Sequence, residues 1–159
     1  MANQWFSTSS MATLVPDIQK VVRKYVLTAL ERTADDIYVM ISNKTEDWYN
    51  AYQPVKYERT EQFYDSLTIS DMKISMDNFE ISIFFDPAKL VTNTALGQHV
   101  EPEKVPYYIE YGWANNGRGG EGAFIIESTI QELKSGLLVK IFEKHLRSLG
   151  LQATVYLIT

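Results

Sequence analysis

The sequence predicts an α+β fold, with a long N-terminal helix and a C-terminal helix packed on one face of a small antiparallel sheet, joined by long interaction loops. Three observations predict it. Apolar residues recur every three or four positions near both ends of the chain, which is the helical period. Between them, two runs of period-two alternation flank Asp77-Asn78, a pair that suits a tight hairpin turn. The chain has 159 residues, 45% apolar and 22% charged, which fits one globular domain spanning 1–159.

Residues 1–14 are mostly small and polar and read as an arm. Pro16 suits the first turn of a helix, and Asp17 complements its dipole. Ile18, Val21, Val22, Tyr25, Ala29 and Leu30 then follow at helical spacing, and Ile37, Met40 and Ile41 continue the stripe. The pattern predicts a helix over Asp17–Asn43. Lys20, Arg23 and Lys24 lie on its opposite side as a solvated face.

The run TEDWYNAYQPVKYERTEQFY, Thr45–Tyr64, is rich in tyrosine and charge. Pro54 blocks a continuous helix there, so an irregular connection is expected, with Trp48 and Tyr52 facing inward. LTISDMKISM (Leu67–Met76) and FEISIFF (Phe79–Phe85) are the hairpin strands. Phe79, Ile81, Ile83 and Phe85 share one face. Leu67 and Ile69 are out of phase with Met72 and Ile74, which calls for a bulge near Ser70-Asp71. Asp86-Pro87 ends the hairpin. Ala88–Val105 is a long, weakly patterned excursion, the kind of loop that carries function.

The helical pattern returns from Ala123, with Ile126, Ile130, Leu133, Leu137, Ile141, Phe142 and Leu146 on one side. Gly136 is placed to kink it and Gly150 to cap it. Leu151–Ile158 reads as a closing strand, so the domain divides into an arm (1–14), a core (15–150) and a C-terminal strand (151–159).

Five of the eight glycines lie in YIEYGWANNGRGGEGAFI, Tyr108–Ile125. A phosphate loop needs Lys-Ser or Lys-Thr after its glycines, and here they lead into Ala123-Phe124. Glu121 would also repel a phosphate. The stretch divides into an aromatic anchor, Tyr108–Trp113, and a loop. The absence of cysteine excludes disulfides and thiolate metal sites. His99 and His145 stand far apart with no ligand spacing, so neither a metal nor a cofactor is expected. His145 suits the end of a helix, beside Lys144 and Arg147. No nucleophile elbow is present. The net charge of −5 argues against a broad DNA-binding surface. Neither a signal peptide nor a membrane span is expected.

The order of local motifs resembles the head–tail joining, or tail-completion, proteins of long-tailed bacteriophages. A tyrosine-rich segment with Tyr52, Pro54, Tyr57, Arg59 and Thr60 precedes the strands. Tyr107, Glu110, Tyr111 and Gly112 then precede a glycine-rich loop that leads through Phe124 into the last helix. The resemblance covers roughly residues 16–149. The extra residues in Ala88–Val105 and the tail after Gly150 depart from the family pattern.

The resemblance implies a non-catalytic protein that forms a homo-oligomeric ring in the phage neck. The portal, adaptor or stopper proteins would lie on one side, and the tail tube or tail terminator on the other. DNA would pass through without sequence-specific binding. The protein would reside in the virion, and in host cytoplasm during assembly. Candidate interface residues are Trp5, Phe6, His99, Val100, Tyr107, Tyr108, Glu110, Tyr111, Trp113, Asn115, Asn116, Arg118 and Glu121. The alternatives are a tail terminator or head-completion stopper, a small hydrolase using Glu110 or Glu121 with His99, and a nucleic-acid module using Lys20, Arg23 and Lys24.

Overall fold

The computed structural model describes residues 8–51, 62–75, 78–90, 101–112 and 122–155, with side chains from residue 18 onward in the first helix. Helix α1 spans Thr8–Ala51. Its 44 residues make a rod of about 66 Å at 1.5 Å per residue. It extends beyond the predicted Asp17–Asn43 at both ends. It runs through Pro16, which removes one ladder hydrogen bond without ending the helix. It also continues through Thr45–Ala51, where an irregular connection was expected. Burial of Thr45 and packing of Trp48 and Tyr49 against the core reward helix there, and the described helix reaches Ala51.

The short helix α2 (Gln62–Ser66) leads directly into β1 (Leu67–Ile69). β1 pairs antiparallel with β4 (Ile83–Phe85), Leu67 opposite Phe85. β2 (Lys73–Ser75) pairs with β3 (Asn78–Glu80), Ile74 opposite Phe79. The register advances by one residue between the two ladders. The expected bulge is therefore present, and it lies just beyond Ser70, whose N–H donates to the Ser82 carbonyl at 2.8 Å. Ser75 pairs with Asn78, so Asn78, predicted in the turn, belongs to β3, and Met76 and Asp77 lie outside the described residues. Asp86 closes the hairpin as expected. Its carboxylate accepts from the Ala88 N–H at 2.9 Å, starting a single 3₁₀ turn over Pro87–Lys89.

Helix α3 (Val105–Tyr111) follows a 3₁₀ turn at Pro102–Lys104. The sequence pattern did not reveal it, because seven residues are too few to display a helical period. Helix α4 (Ile125–Glu132) continues through a π-helical turn, Leu133–Leu137, into α5 (Leu138–Ser148). Gly136 has φ 103° inside that turn, so the predicted kink falls on the residue expected to make it. Gly150, at φ 85°, closes α5 as expected. The Leu151 N–H reaches back to the Leu146 carbonyl and the Gly150 N–H to that of Arg147, a Schellman arrangement.

The predicted closing strand is not formed over Leu151–Val155. The Val155 N–H donates instead to the Glu143 carboxylate at 3.2 Å, so a side chain of α5 satisfies a donor that a strand would use. Residues 156–158 of that prediction lie outside the described residues, as does Tyr52.

The core sits on the C-terminal half of α1. Ile41, Phe63, Leu67, Phe85, Leu90 and Ile125 are buried together, with the Phe63 and Phe85 rings stacked at 4.1 Å. Helices α4 and α5 run antiparallel to α1. Lys44 bonds Ser128 and Glu132, Asp36 bonds His145 and Lys144, and Arg32 donates to Ser148. In α4 the buried face carries Ile125 and Thr129, whereas the predicted Ile130 is exposed. Thr33, Thr45 and Thr129 are fully buried, and each hydroxyl donates to the carbonyl four residues earlier at 2.7–2.8 Å. Small residues with internally satisfied hydroxyls thus line the helix contacts, where sequence reasoning looked for large apolar ones.

Candidate functional site

The glycine-rich loop is rooted between α3 and α4, and one residue organises that root. Glu110 is only 8% exposed. Its two carboxylate oxygens accept from the Ile126 and Glu127 N–H groups, at 3.0 and 2.6 Å. These are orphan donors of the first turn of α4. The residue at the start of that helix is Phe124, which has no side-chain acceptor to offer. Glu110 therefore acts as a capping side chain supplied by another helix, and its charge complements the α4 dipole.

The backbone completes the clamp in the opposite direction. The Ala123 N–H donates to the Ile109 carbonyl at 2.8 Å and the Phe124 N–H to that of Glu110 at 3.0 Å. Late carbonyls of α3 and early amides around α4 thus satisfy one another. Gly122 makes the approach possible. A Cβ there would overlap the Glu110 carbonyl oxygen and lie 2.8 Å from the Tyr111 Cα. Gly112 leaves α3 with φ 84°, the glycine turn expected after Tyr111.

The clamp displays aromatic rings. The Tyr107 and Tyr111 rings lie 5.0 Å apart, tilted by 49°, Tyr107 meets Tyr108 edge-on at 6.0 Å, and Tyr111 meets Phe124 edge-on at 6.3 Å. Tyr107, Tyr111 and Phe124 are 61%, 53% and 46% exposed. Phe124 adopts φ 49°, ψ 35°, a left-handed conformation that an aromatic residue rarely takes. The hydrogen bonds on either side of it hold that strained backbone, and its ring stays in solvent beside Tyr111.

The structure thus gathers Tyr107, Tyr108, Glu110 and Tyr111 from the predicted set. Tyr107 and Tyr111 face outward, whereas Glu110 is an internal cap rather than an exposed contact residue. Trp5, Phe6, His99, Val100, Trp113, Asn115, Asn116, Arg118 and Glu121 lie outside the described residues. Phe124 was not among the predicted interface residues. Its position two residues after Gly122, at the start of the last helix, is the signal that could have found it.

A second polar cluster joins α1 to α5. The Asp36 carboxylate lies 3.0 Å from His145 Nε2 and 3.3 Å from Lys144 Nζ. Partial desolvation pushes the Asp36 carboxyl up. The hydrogen bonds and positive charge of His145 and Lys144 outweigh it and hold the group below the usual carboxylate range. His145 lies in the last turn of α5, as its basic neighbours suggested. Among the described residues no group of three or more His, Asp or Glu side chains is arranged to hold a metal ion, and no helix is long and apolar enough to cross a membrane.

A family model described as YomN matches residues 10–148. The chain belongs to the YomN family. A curated relative, the SPbeta prophage-derived uncharacterized protein YomN of Bacillus subtilis strain 168, is 26% identical over 149 residues. The match covers 89% of this chain and 99% of that protein, so the two share nearly their whole length. The family matched here is thus phage-associated, and its matched region takes in α1 from its first turn, the hairpin, the Glu110 clamp and α5. No solved structure matches the chain.

Proposed function

We propose that the protein is a structural component of a phage neck, completing the tail or joining it to the head as a homo-oligomeric ring around the DNA channel. The near full-length kinship with a prophage-derived protein carries this reading. The tyrosine-rich order of motifs, from Tyr52 to Gly112, supports the neck as the place within the virion. A ring subunit needs two different, complementary side surfaces, since a head-to-tail contact closes by rotation. The rings of Tyr107, Tyr111 and Phe124, exposed on a hydrogen-bonded support, suit one of them. Aromatic anchors with little conformational freedom are typical of protein interfaces.

Its partners in this reading are other copies of itself, a portal, adaptor or stopper protein on the head side, and tail-tube or terminator proteins on the other. DNA passes without sequence-specific binding, consistent with a net charge of −5. The protein is not an enzyme in this reading. Both oxygens of Glu110 are engaged by backbone N–H groups, which weighs against a hydrolase built on that carboxylate. A tail terminator or head-completion stopper is the neighbouring role, separable by the order in which the components assemble.

The test is to remove the gene from the phage that carries it and image the lysate. DNA-filled heads and separate tails should accumulate, and supplying the protein in trans should restore joined particles. Normal particles without the protein, or a block before heads fill, would sink the reading.

A further inference from the structure

One face of α1 is left unused by the rest of the described fold. Steps of four, four, three, four and four residues place Lys20, Lys24, Thr28, Glu31, Asp35 and Val39 in one row along the helix. All but the half-buried Thr28 are exposed. Every residue from Ile18 to Lys24 is exposed, including Ile18 at 56% and Val21 at 50%, and the Arg23 guanidinium lies 5.3 Å from the centre of the Phe79 ring. β-branched residues are modest helix formers, so two exposed turns carrying three of them gain little by themselves. At the other end the row stops where the body closes over it. There the Ser42 hydroxyl donates to the Tyr64 hydroxyl at 2.9 Å.

Charge is divided along this row. Its N-terminal end is basic, with no acid between Ile18 and Leu30, and its C-terminal end carries Glu31 and Asp35. Lys20, Lys24, Glu31 and Asp35 form no ion pair among the described residues. The two lysines are four residues apart, as are the two acids. A second copy turned about an axis between Leu27 and Thr28 therefore sets Lys20 opposite Asp35 and Lys24 opposite Glu31. The same pairing occurs twice, once on each side of the axis. A parallel, in-register copy would set like charge on like, which charge complementarity disfavours.

We infer that this face of α1 is the contact of a two-fold pair, in which an antiparallel second copy of the chain covers Ile18–Val39. The contact is self-complementary, as a two-fold axis requires. Val21 and Val39, which lie on the side of the helix that carries the row, add apolar contact, and the divided charge sets direction and register. The inference goes beyond the neck reading. A ring-closing contact is a different surface, and failure of the pair leaves that reading standing.

Sedimentation velocity on the intact protein tests it. Wild type should have the mass of two chains. Lys20→Glu with Lys24→Glu, and separately Glu31→Lys with Asp35→Lys, should each weaken pairing by about a hundredfold or more. These positions are exposed, so far-ultraviolet circular dichroism should stay unchanged. An equimolar mixture of the two variants should regain the two-chain mass, because each then supplies the charge the other needs.

Wild type that stays a single chain at about 100 µM overturns the inference, since no physiologically useful affinity would remain. So do variants that keep the wild-type mass, and a mixture that fails to pair. A mixture that grows past two chains points to a head-to-tail contact and overturns the two-fold arrangement. If wild type stays single but retains duplex DNA at low salt, and Lys20→Glu with Lys24→Glu loses it, the face belongs to nucleic acid instead.

Discussion

Glu110 shows how a single side chain can be misread when only its neighbours in sequence are visible. Beside three tyrosines and a glycine loop it suggests a contact residue or an acid catalyst. In the fold it completes the first turn of a helix whose own cap position holds a phenylalanine. Glu110→Ala should cost about 2 kcal/mol of stability, since it leaves part-buried amides unpaired and removes a cap. Glu110→Gln should cost less, because one oxygen can still accept. Denaturant unfolding of the three proteins checks this, and equal midpoints would contradict the capping role. Gly122 makes a companion case. Gly122→Ala must push a methyl group into the Glu110 backbone, and a loss of about 1–3 kcal/mol is expected by the same measurement.

At the scale of elements, the helix α1–α5 contact is held partly by the Asp36 cluster. A carboxyl whose folded value lies below its unfolded value stabilises the fold above the ordinary carboxylate pKa of about 4, and that contribution fades as pH falls through the lowered value. Asp36→Asn should therefore be less stable than wild type at neutral pH. The gap should shrink as the solution is acidified below about pH 4. A gap that is constant with pH would mean that the charge contributes nothing.

Elements were legible in the sequence where a long period or a special residue marked them. Both long helices, the hairpin, its bulge, and the glycines at 136 and 150 are of this kind. The ends of α1 were not legible. Pro16 and Pro54 are strong local signals, but tertiary packing of Trp48 and Tyr49 outweighs local preference up to Ala51. The buried row in α4 was misassigned by one residue, because Ile125-Ile126 offers two adjacent apolar positions and only the packing partner decides between them. The α3–α4 clamp was half legible. Its tyrosines and glycines stood out, whereas its central bonds link residues 16 and 17 positions apart, which no local pattern reveals.

For the whole molecule, the uneven support of α1 should be visible in solution. Between Ala29 and Thr45 one side of the helix is buried under α4, α5 and the hairpin root, whereas Ile18–Lys24 is open on nearly every side. In dilute solution, amides of Ile18–Lys24 should exchange with deuterium much faster than those of Ala29–Thr45, read by mass spectrometry of peptides. Uniform protection along α1 would show that something already covers its N-terminal half.

The closed root of the glycine loop has a consequence for how such a protein can vary. Its two ends are tied to each other by backbone hydrogen bonds and by Glu110. The closure entropy of a loop grows slowly, by about 0.6 kcal/mol for each doubling of length. Lengthening or rewriting of residues 113–121, or insertion of a foreign epitope there, should therefore leave the α3–α4 bonds in place.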